Sequence, residues 1–170
     1  MYESADDLKH LQDLLDRSYA AAGEHLRSII TPERRMTAEE TVELLQGMKL
    51  LALATVTRDG KPLVGPVDGL FYKGQFWFGS SPDSVRFRHI RERPWVSATH
   101  MPSEQYAVTV HGRAEEIDLH SDEMAGFRDY CVEIYGKSWN EWGADGAYAR
   151  IHADRMFTFH FDEEWPKKED

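Results

Sequence analysis

Phe76-Trp77-Phe78-Gly79-Ser80-Ser81-Pro82-Asp83-Ser84-Val85-Arg86-Phe87-Arg88-His89-Ile90 is the stretch that orders the rest of the chain. An aromatic strand runs into a small, hydroxyl-rich turn. The turn opens a short helix, predicted from about 83 to 91, that carries four arginines by Arg93. The chain as a whole is acidic, with a net charge of −10, so a local basic cluster behind serines calls for a physical reason. A bound phosphate supplies one. Serine hydroxyls and unpaired N–H groups at a helix start hold an anion, and an arginine in the first turn pairs with it. Simple capping is the alternative: Ser80, Ser81, Ser84 and Asp83 are all good N-cap types, and Asp83 opposes an anion at the same end. Arg86 and Arg88 lie two apart and face different sides of the helix, so only one of them is expected at a phosphate. Arg88, Arg91 and Arg93 are expected as surface charges, paired with Glu92 and others.

Outward from this stretch the pattern alternates with period two. Residues 50–57 and 63–72 read as strands joined by the hairpin turn Arg58-Asp59-Gly60-Lys61. After Lys73-Gly74, a third strand covers 75–79; the fourth covers 95–101, beyond Pro94, which ends the short helix. Past the loop Pro102-Ser103-Glu104, a fifth strand runs over 106–117 and a sixth over 150–161. A helix over 121–135, closed by Gly136, lies between the last two. The segment 62–68 is odd for a strand, because Gly65 and Pro66 weaken pairing and leave backbone open. It is either a bulged edge or a backbone face that lies against a flat ring.

Upstream, Leu8, Leu11, Leu15, Tyr19, Ala22, Leu26 and Ile29 predict one amphipathic helix over 6–30, ended by Thr31-Pro32. It packs on the domain or docks on a partner subunit. Thr37-Ala38-Glu39-Glu40 is a capping box, and the helix it opens presents Val42, Leu45 and Met48 and stops near Gly47. Six antiparallel strands with short hairpins favour a closed or partly closed barrel. The expected fold class is mainly β (α+β). Residues 1–36 form an N-terminal helical extension, 37–161 the barrel and 162–170 a charged, frayed tail.

Several function classes fall away. A net charge of −10 argues against a broad nucleic-acid face. One cysteine, Cys131, gives neither a disulfide framework nor a Cys-rich zinc site, and its helical setting predicts a buried, inert thiol. No apolar run reaches membrane-spanning length, and the acidic N-terminus lacks signal-peptide features; a cytoplasmic location is expected. The histidines are scattered without metal spacing, so no metal site is expected. Trp139 and Trp142 sit in a predicted loop, where they either cover a ligand or interface or pack over the core.

Leu53-Ala54-Thr55-Val56, Asp59-Gly60-Lys61-Pro62, Pro66-Val67, Phe76-Trp77-Phe78-Gly79, Ser84-Val85-Arg86-Phe87-Arg88-His89-Ile90, Pro94-Trp95-Val96 and Gly112-Arg113-Ala114, in that order, resemble the split-barrel flavin-binding proteins related to pyridoxamine 5′-phosphate oxidase. The resemblance covers roughly residues 40–161. It implies an FMN-binding, six-stranded split barrel, a homodimer with the flavin between subunits, and flavin-mediated hydride or electron transfer to a small molecule. Pro66, Val67 and Asp68 would then line the isoalloxazine ring. Gly79, Ser80 and Ser81 would meet the ribityl chain or phosphate, and Ser84 and Arg86 would hold the phosphate. The family usually has lysine where Arg86 stands and asparagine where His89 stands, so His89 departs from the pattern. In the last strand, Arg150-Ile151-His152-Ala153-Asp154-Arg155 keeps an Arg-x-His spacing related to the oxidase's substrate motif, with one extra residue before the second arginine. Arg150 and His152 are the substrate candidates; no catalytic acid or base stands out. The alternatives within the resemblance are a deazaflavin (coenzyme F-420)-dependent reductase and a non-enzymatic flavin- or haem-binding protein. The acidic composition favours FMN, since the deazaflavin's acidic tail calls for a broad basic groove.

Overall fold

The computed structural model describes residues 2–161; the predicted charged tail lies outside them. Six antiparallel strands close a barrel in the order β1 (Lys49–Val56), β2 (Pro62–Tyr72), β3 (Gln75–Ser80), β6 (Ala147–His160), β5 (Tyr106–Ile117), β4 (Trp95–Ser103). Period-two alternation builds the wall. On β1, Leu51, Leu53 and Thr55 are buried while Leu50 and Ala52 are exposed, and β4 repeats the pattern with Val96, Ala98 and His100 inside. Phe76, Phe78, Val110 and Ile151 fill the interior from the other strands. The expected Asp-Gly hairpin joins β1 to β2: Gly60 takes φ 82°, and Thr57 N–H donates to Lys61 C=O at 2.9 Å.

The predicted helix over 6–30 is two helices. α1 (Ala5–Ala20), opened by a Ser4–Asp7 capping box, ends before Ala21-Ala22-Gly23, and α2 (Glu24–Ile29) starts from Gly23. On the buried face of α1, Leu11, Leu14, Leu15 and Tyr19 belong to the barrel's own core cluster, with Ser18 buried beside them. Beyond the break the apolar spacing no longer marks one seam, because Ile29 is exposed. α3 (Ala38–Leu44) has the predicted capping box, with Thr37 Oγ1 accepting from Glu40 N–H and Glu40 accepting from Thr37 N–H. Met48, expected on its apolar face, lies past the helix end and is exposed.

α4 (Val85–Glu92) seats Phe87 and Ile90 in the barrel core. The helix predicted over 121–135 is a 3-10 turn, Asp122–Met124, followed by α5 (Ala125–Tyr135). α5 covers the outer face of β2, β3 and β6, where Tyr72, Trp77, Phe127, Tyr130 and Tyr148 make a second core. The predicted loop at Trp139 and Trp142 is instead a short helix, α6 (Trp139–Trp142). Strand β6 starts three residues earlier than expected, at Ala147, because Ala147, Tyr148 and Ala149 pair with Ser80, Gly79 and Phe78. Strand β4 likewise continues to Ser103, through residues read as loop.

The extra residue of the Arg150–Arg155 segment is placed by this sheet. His111 pairs with Arg155 and Gly112 with Ala153, which leaves Asp154 unpaired as a bulge. Gly112 permits the kink: a Cβ there would stand 2.0 Å from the His152 carbonyl oxygen.

Candidate functional site

The N-terminus of α4 sorts the serine-rich turn. Ser84 is the N-cap, but its hydroxyl engages Phe87 N–H only at 3.4 Å, the long end for such a bond. Asp83 is exposed and is not the cap. The amides of Val85 and Arg86, first in the helix, have no intrahelical partner.

The four arginines divide as their spacing suggests. Arg91 makes a bidentate pair with Glu116, at 2.7 and 2.6 Å, and donates to Pro82 C=O. Arg93 pairs with Glu92 at 2.8 Å and donates to Val56 C=O. Arg88 is exposed. Arg86 differs from all three. It is half-buried, its Nη2 donates to Pro66 C=O at 2.8 Å, and no carboxylate among the described residues pairs with it. Burial pulls its pKa down from the usual value, yet a guanidinium stays charged in a protein. The result is a partly desolvated cation without a counter-ion.

Pro66 is reachable because β2 is open there. β1 pairs with β2 along residues 62–69, whereas β3 joins only from Gly69 onward. Over 62–68 the other flank of β2 has no strand partner among the described residues, which is the open backbone face rather than the bulge, the other alternative at Gly65-Pro66. Pro66 and Asp68 are exposed on this stretch. The Val67 side chain points into the barrel core, so only its backbone faces outward.

Next to this open flank is a pocket of about 380 Å³. Four of the predicted site residues line it: Asp68, Gly79, Ser80 and Ser81. Its other walls are mostly aromatic, from Trp77, Tyr135, Trp142 and Tyr148, with Leu70 and Asp145 among them. Gly79 is there for shape: a Cβ would lie 2.6 Å from the Tyr148 ring, so its hydrogen lets that ring form the wall. Tyr148 accepts a hydrogen bond from Trp139 Nε1 at 2.9 Å, and burial pushes its phenol up to about 12. Tyr135 is pushed up as well, by burial first and then by the charge of Asp68, so both phenols stay protonated at neutral pH. The two tryptophans of α6 split between the two expectations. Trp139 is buried core, while Trp142 is exposed at the pocket edge, edge-on to Tyr135 at 5.5 Å.

Pro66, Ser84 and Arg86 stand outside the pocket walls, along the β2 flank and the start of α4. His89 turns the other way, its Nδ1 bonded to the buried Thr55 hydroxyl at 2.9 Å. Arg150 and His152 are not brought to this pocket. Both are held by Glu115 on the outer face of β5 and β6, at 2.7 Å from Arg150 Nε and 2.5 Å from His152 Nε2. Those hydrogen bonds, the one from His152 first, hold the Glu115 carboxyl below its usual range. Arg150 lies over the Trp77 ring and lines a separate groove of about 490 Å³ between α1 and the β2–β3 turn.

Sequence reasoning missed Asp145, Tyr135 and Tyr148. Each comes from a different connection or element end, and no spacing along the chain joins them to Asp68. Cys131 is buried, as expected, and burial raises its thiol to about 12. Among the described residues, no group of three or more His, Cys, Asp or Glu side chains is placed to hold a metal. No helix among them is long and apolar enough to cross a membrane.

The family model described as pyridoxamine 5′-phosphate oxidase matches residues 37–165. Among solved structures, the chain is similar to a conserved hypothetical protein from Mycobacterium tuberculosis. That match has 18% identity and a TM-score of 0.62, over 76% of this chain and 88% of that one. A FAD-binding protein from Mesorhizobium loti matches at 23% identity and TM-score 0.58, over 74% of this chain and 93% of that one. HutZ, the haem storage protein from Vibrio cholerae, matches at 18% identity and TM-score 0.61, over 76% and 94%. At such identities these likenesses concern the fold. No curated protein matches the chain.

Proposed function

The chain belongs to the pyridoxamine 5′-phosphate oxidase family, and on that premise we propose that it binds FMN and works as a flavin-dependent oxidoreductase on a small molecule. Arg86 carries this reading: a half-buried guanidinium with no carboxylate partner among the described residues, at the start of a helix whose first amides are unpaired. A flavin phosphate is the anion that this arrangement fits. Arg86, Ser84 and the amides of Val85 and Arg86 would hold it, with Ser80 and Ser81 toward the ribityl chain. The open flank of β2 at Pro66, Val67 and Asp68 offers backbone groups and a flat approach to the ring. When bound, the flavin supplies hydride or electron transfer. The protein's share is to fix the phosphate, orient the ring and present a shaped pocket beside it.

A second copy of the chain completes this proposal. The outer face of β1, β2 and β4 is apolar and uncovered: Leu50, Val64, Trp95 and Met101 are 59, 68, 56 and 66% exposed. The register ties them into one patch, with Ala54 between Val64 and Ser97. Exposed apolar surface of this kind marks an interface, and it adjoins Pro66.

Titration with FMN, followed by flavin absorbance and fluorescence, tests the reading. Binding is expected at micromolar concentration or below. Arg86→Ala should weaken it by about 1.5–3 kcal/mol, the worth of a charged hydrogen bond, or roughly ten- to a hundredfold in Kd. No uptake of FMN would overturn the assignment; uptake of the deazaflavin or of haem in its place would transfer it to that ligand.

A further inference from the structure

The pocket beside the open flank has a charge that the flavin does not need. Asp68 and Asp145 both line it, and among the described residues no lysine, arginine or histidine does. Neither carboxylate has a hydrogen bond or ion pair with another described residue. Apart from Leu70 and Pro82, the remaining large side chains of its walls are aromatic. Trp142, 59% exposed, stands against Tyr135 on one side. Tyr148, its hydroxyl held by Trp139, forms the other, while the Trp77 ring is already engaged by Phe127, stacked at 4.3 Å, and by the Arg150 guanidinium, 5.8 Å from its centre. The faces of such rings are negative, and they attract a cation that has shed part of its water.

We infer that this pocket binds an organic cation, a protonated or quaternary amine on a compact or flat apolar body, held by the aromatic walls with Asp68 and Asp145 as its counter-charges. A phosphate or carboxylate group is disfavoured inside it, because the two acids repel an anion and no cation lines the walls. The phosphate-holding function is thereby confined to Arg86, outside the pocket. The phenols add no competing negative charge, since burial keeps Tyr135 and Tyr148 protonated at neutral pH. A volume of about 380 Å³ admits a ligand the size of a substituted aromatic amine. To call this ligand the substrate rests on the flavin reading; the pocket's charge preference does not.

Three probes of similar size but different charge test the preference: benzyltrimethylammonium, benzyl alcohol and benzoate. Each is titrated into the 170-residue chain, with and without FMN, followed by tryptophan fluorescence and calorimetry. The cation should bind about fivefold or more tighter than the neutral probe, as expected for a cation over aromatic rings, and benzoate weakest. Asp68→Asn and Asp145→Asn should each lower affinity for the cation and leave the neutral probe unchanged. Trp142→Ala should weaken the cation more than the neutral probe. Equal affinities for all three probes, a preference for benzoate, or indifference of cation binding to both Asn variants would overturn the inference. Arg86→Ala separates the two readings, because it should impair FMN and leave the ammonium probe untouched. Cation selectivity without FMN binding would sink the flavin and keep the pocket; FMN binding without cation selectivity would do the reverse.

Discussion

At the scale of single residues, the site is decided by which charges lack partners. Arg91 and Arg93 have carboxylates and carbonyls within reach, so their charge is spent locally. Among the described residues, Arg86 has one carbonyl and no counter-ion, and Asp68 and Asp145 have no cation. The unpaired groups of opposite sign fall on two neighbouring surfaces, one fit for an anion and one for a cation. Geometry at a single position can be as exacting as charge. A methyl group on Gly112 would meet the backbone oxygen of His152 at 2.0 Å, and a backbone atom cannot swing aside. Gly112→Ala is therefore expected to destabilise the protein by about 1–3 kcal/mol or more, seen as a lower urea midpoint with the fold retained or as loss of soluble protein. A midpoint equal to that of the unaltered chain would show that the Asp154 bulge can shift register at no cost.

At the scale of elements, α1 is bound into the barrel by polar as well as apolar contacts. The Tyr19 hydroxyl lies 2.7 Å from both the N and the O of Thr158 and 2.8 Å from its Oγ1. Ser18 Oγ accepts from Met156 N–H at 3.0 Å. These bonds satisfy the flank of β6 beyond the bulge, where an unpaired buried amide would be costly. Tyr19→Phe removes the hydroxyl and leaves Thr158 groups without it, at an expected cost of about 1–3 kcal/mol in denaturant unfolding. Removal of Ile29 to Ala, on the exposed face of α2, should change stability by no more than about 0.5 kcal/mol. A Tyr19→Phe effect as small as that would show that α1 is held by its leucines alone.

At the scale of the whole molecule, α5 covers the outer side of β2, β3 and β6, while Leu50, Val64, Trp95 and Met101 on β1, β2 and β4 stay uncovered among the described residues. A second copy of the chain is the proposed cover, and it sets the expected assembly. Light scattering at tens of micromolar should give twice the chain mass, and Leu50→Glu with Val64→Glu should halve it while circular dichroism stays unchanged. A monomer from the unaltered chain, or a dimer that survives both charges, would exclude this face as the interface. If the flavin is shared between subunits, the same double variant also loses FMN.

The strands, their hairpins, the capping box at Thr37 and the arginine helix follow from local rules: period-two burial, Asp-Gly turns and side chains that satisfy helix-end amides. That is why the sequence alone sufficed for a barrel and for an open backbone face as one alternative near Pro66, while the choice of Arg86 over Arg88 came from the family resemblance. Where an apolar stripe continues past a helix end, as from Ala22 to Ile29, the same rules mislead, because spacing does not show which surface a face will meet. Only the tertiary structure decided that Arg150 and His152 share Glu115 away from the pocket, and that the Asp154 bulge absorbs the extra residue. It alone joined Asp68, Tyr135, Trp142, Asp145 and Tyr148 into one acidic, aromatic pocket. The physical reason is that unpaired charge is a property of neighbourhood: whether a side chain finds a counter-ion depends on strands and helices far along the chain, which no local pattern records.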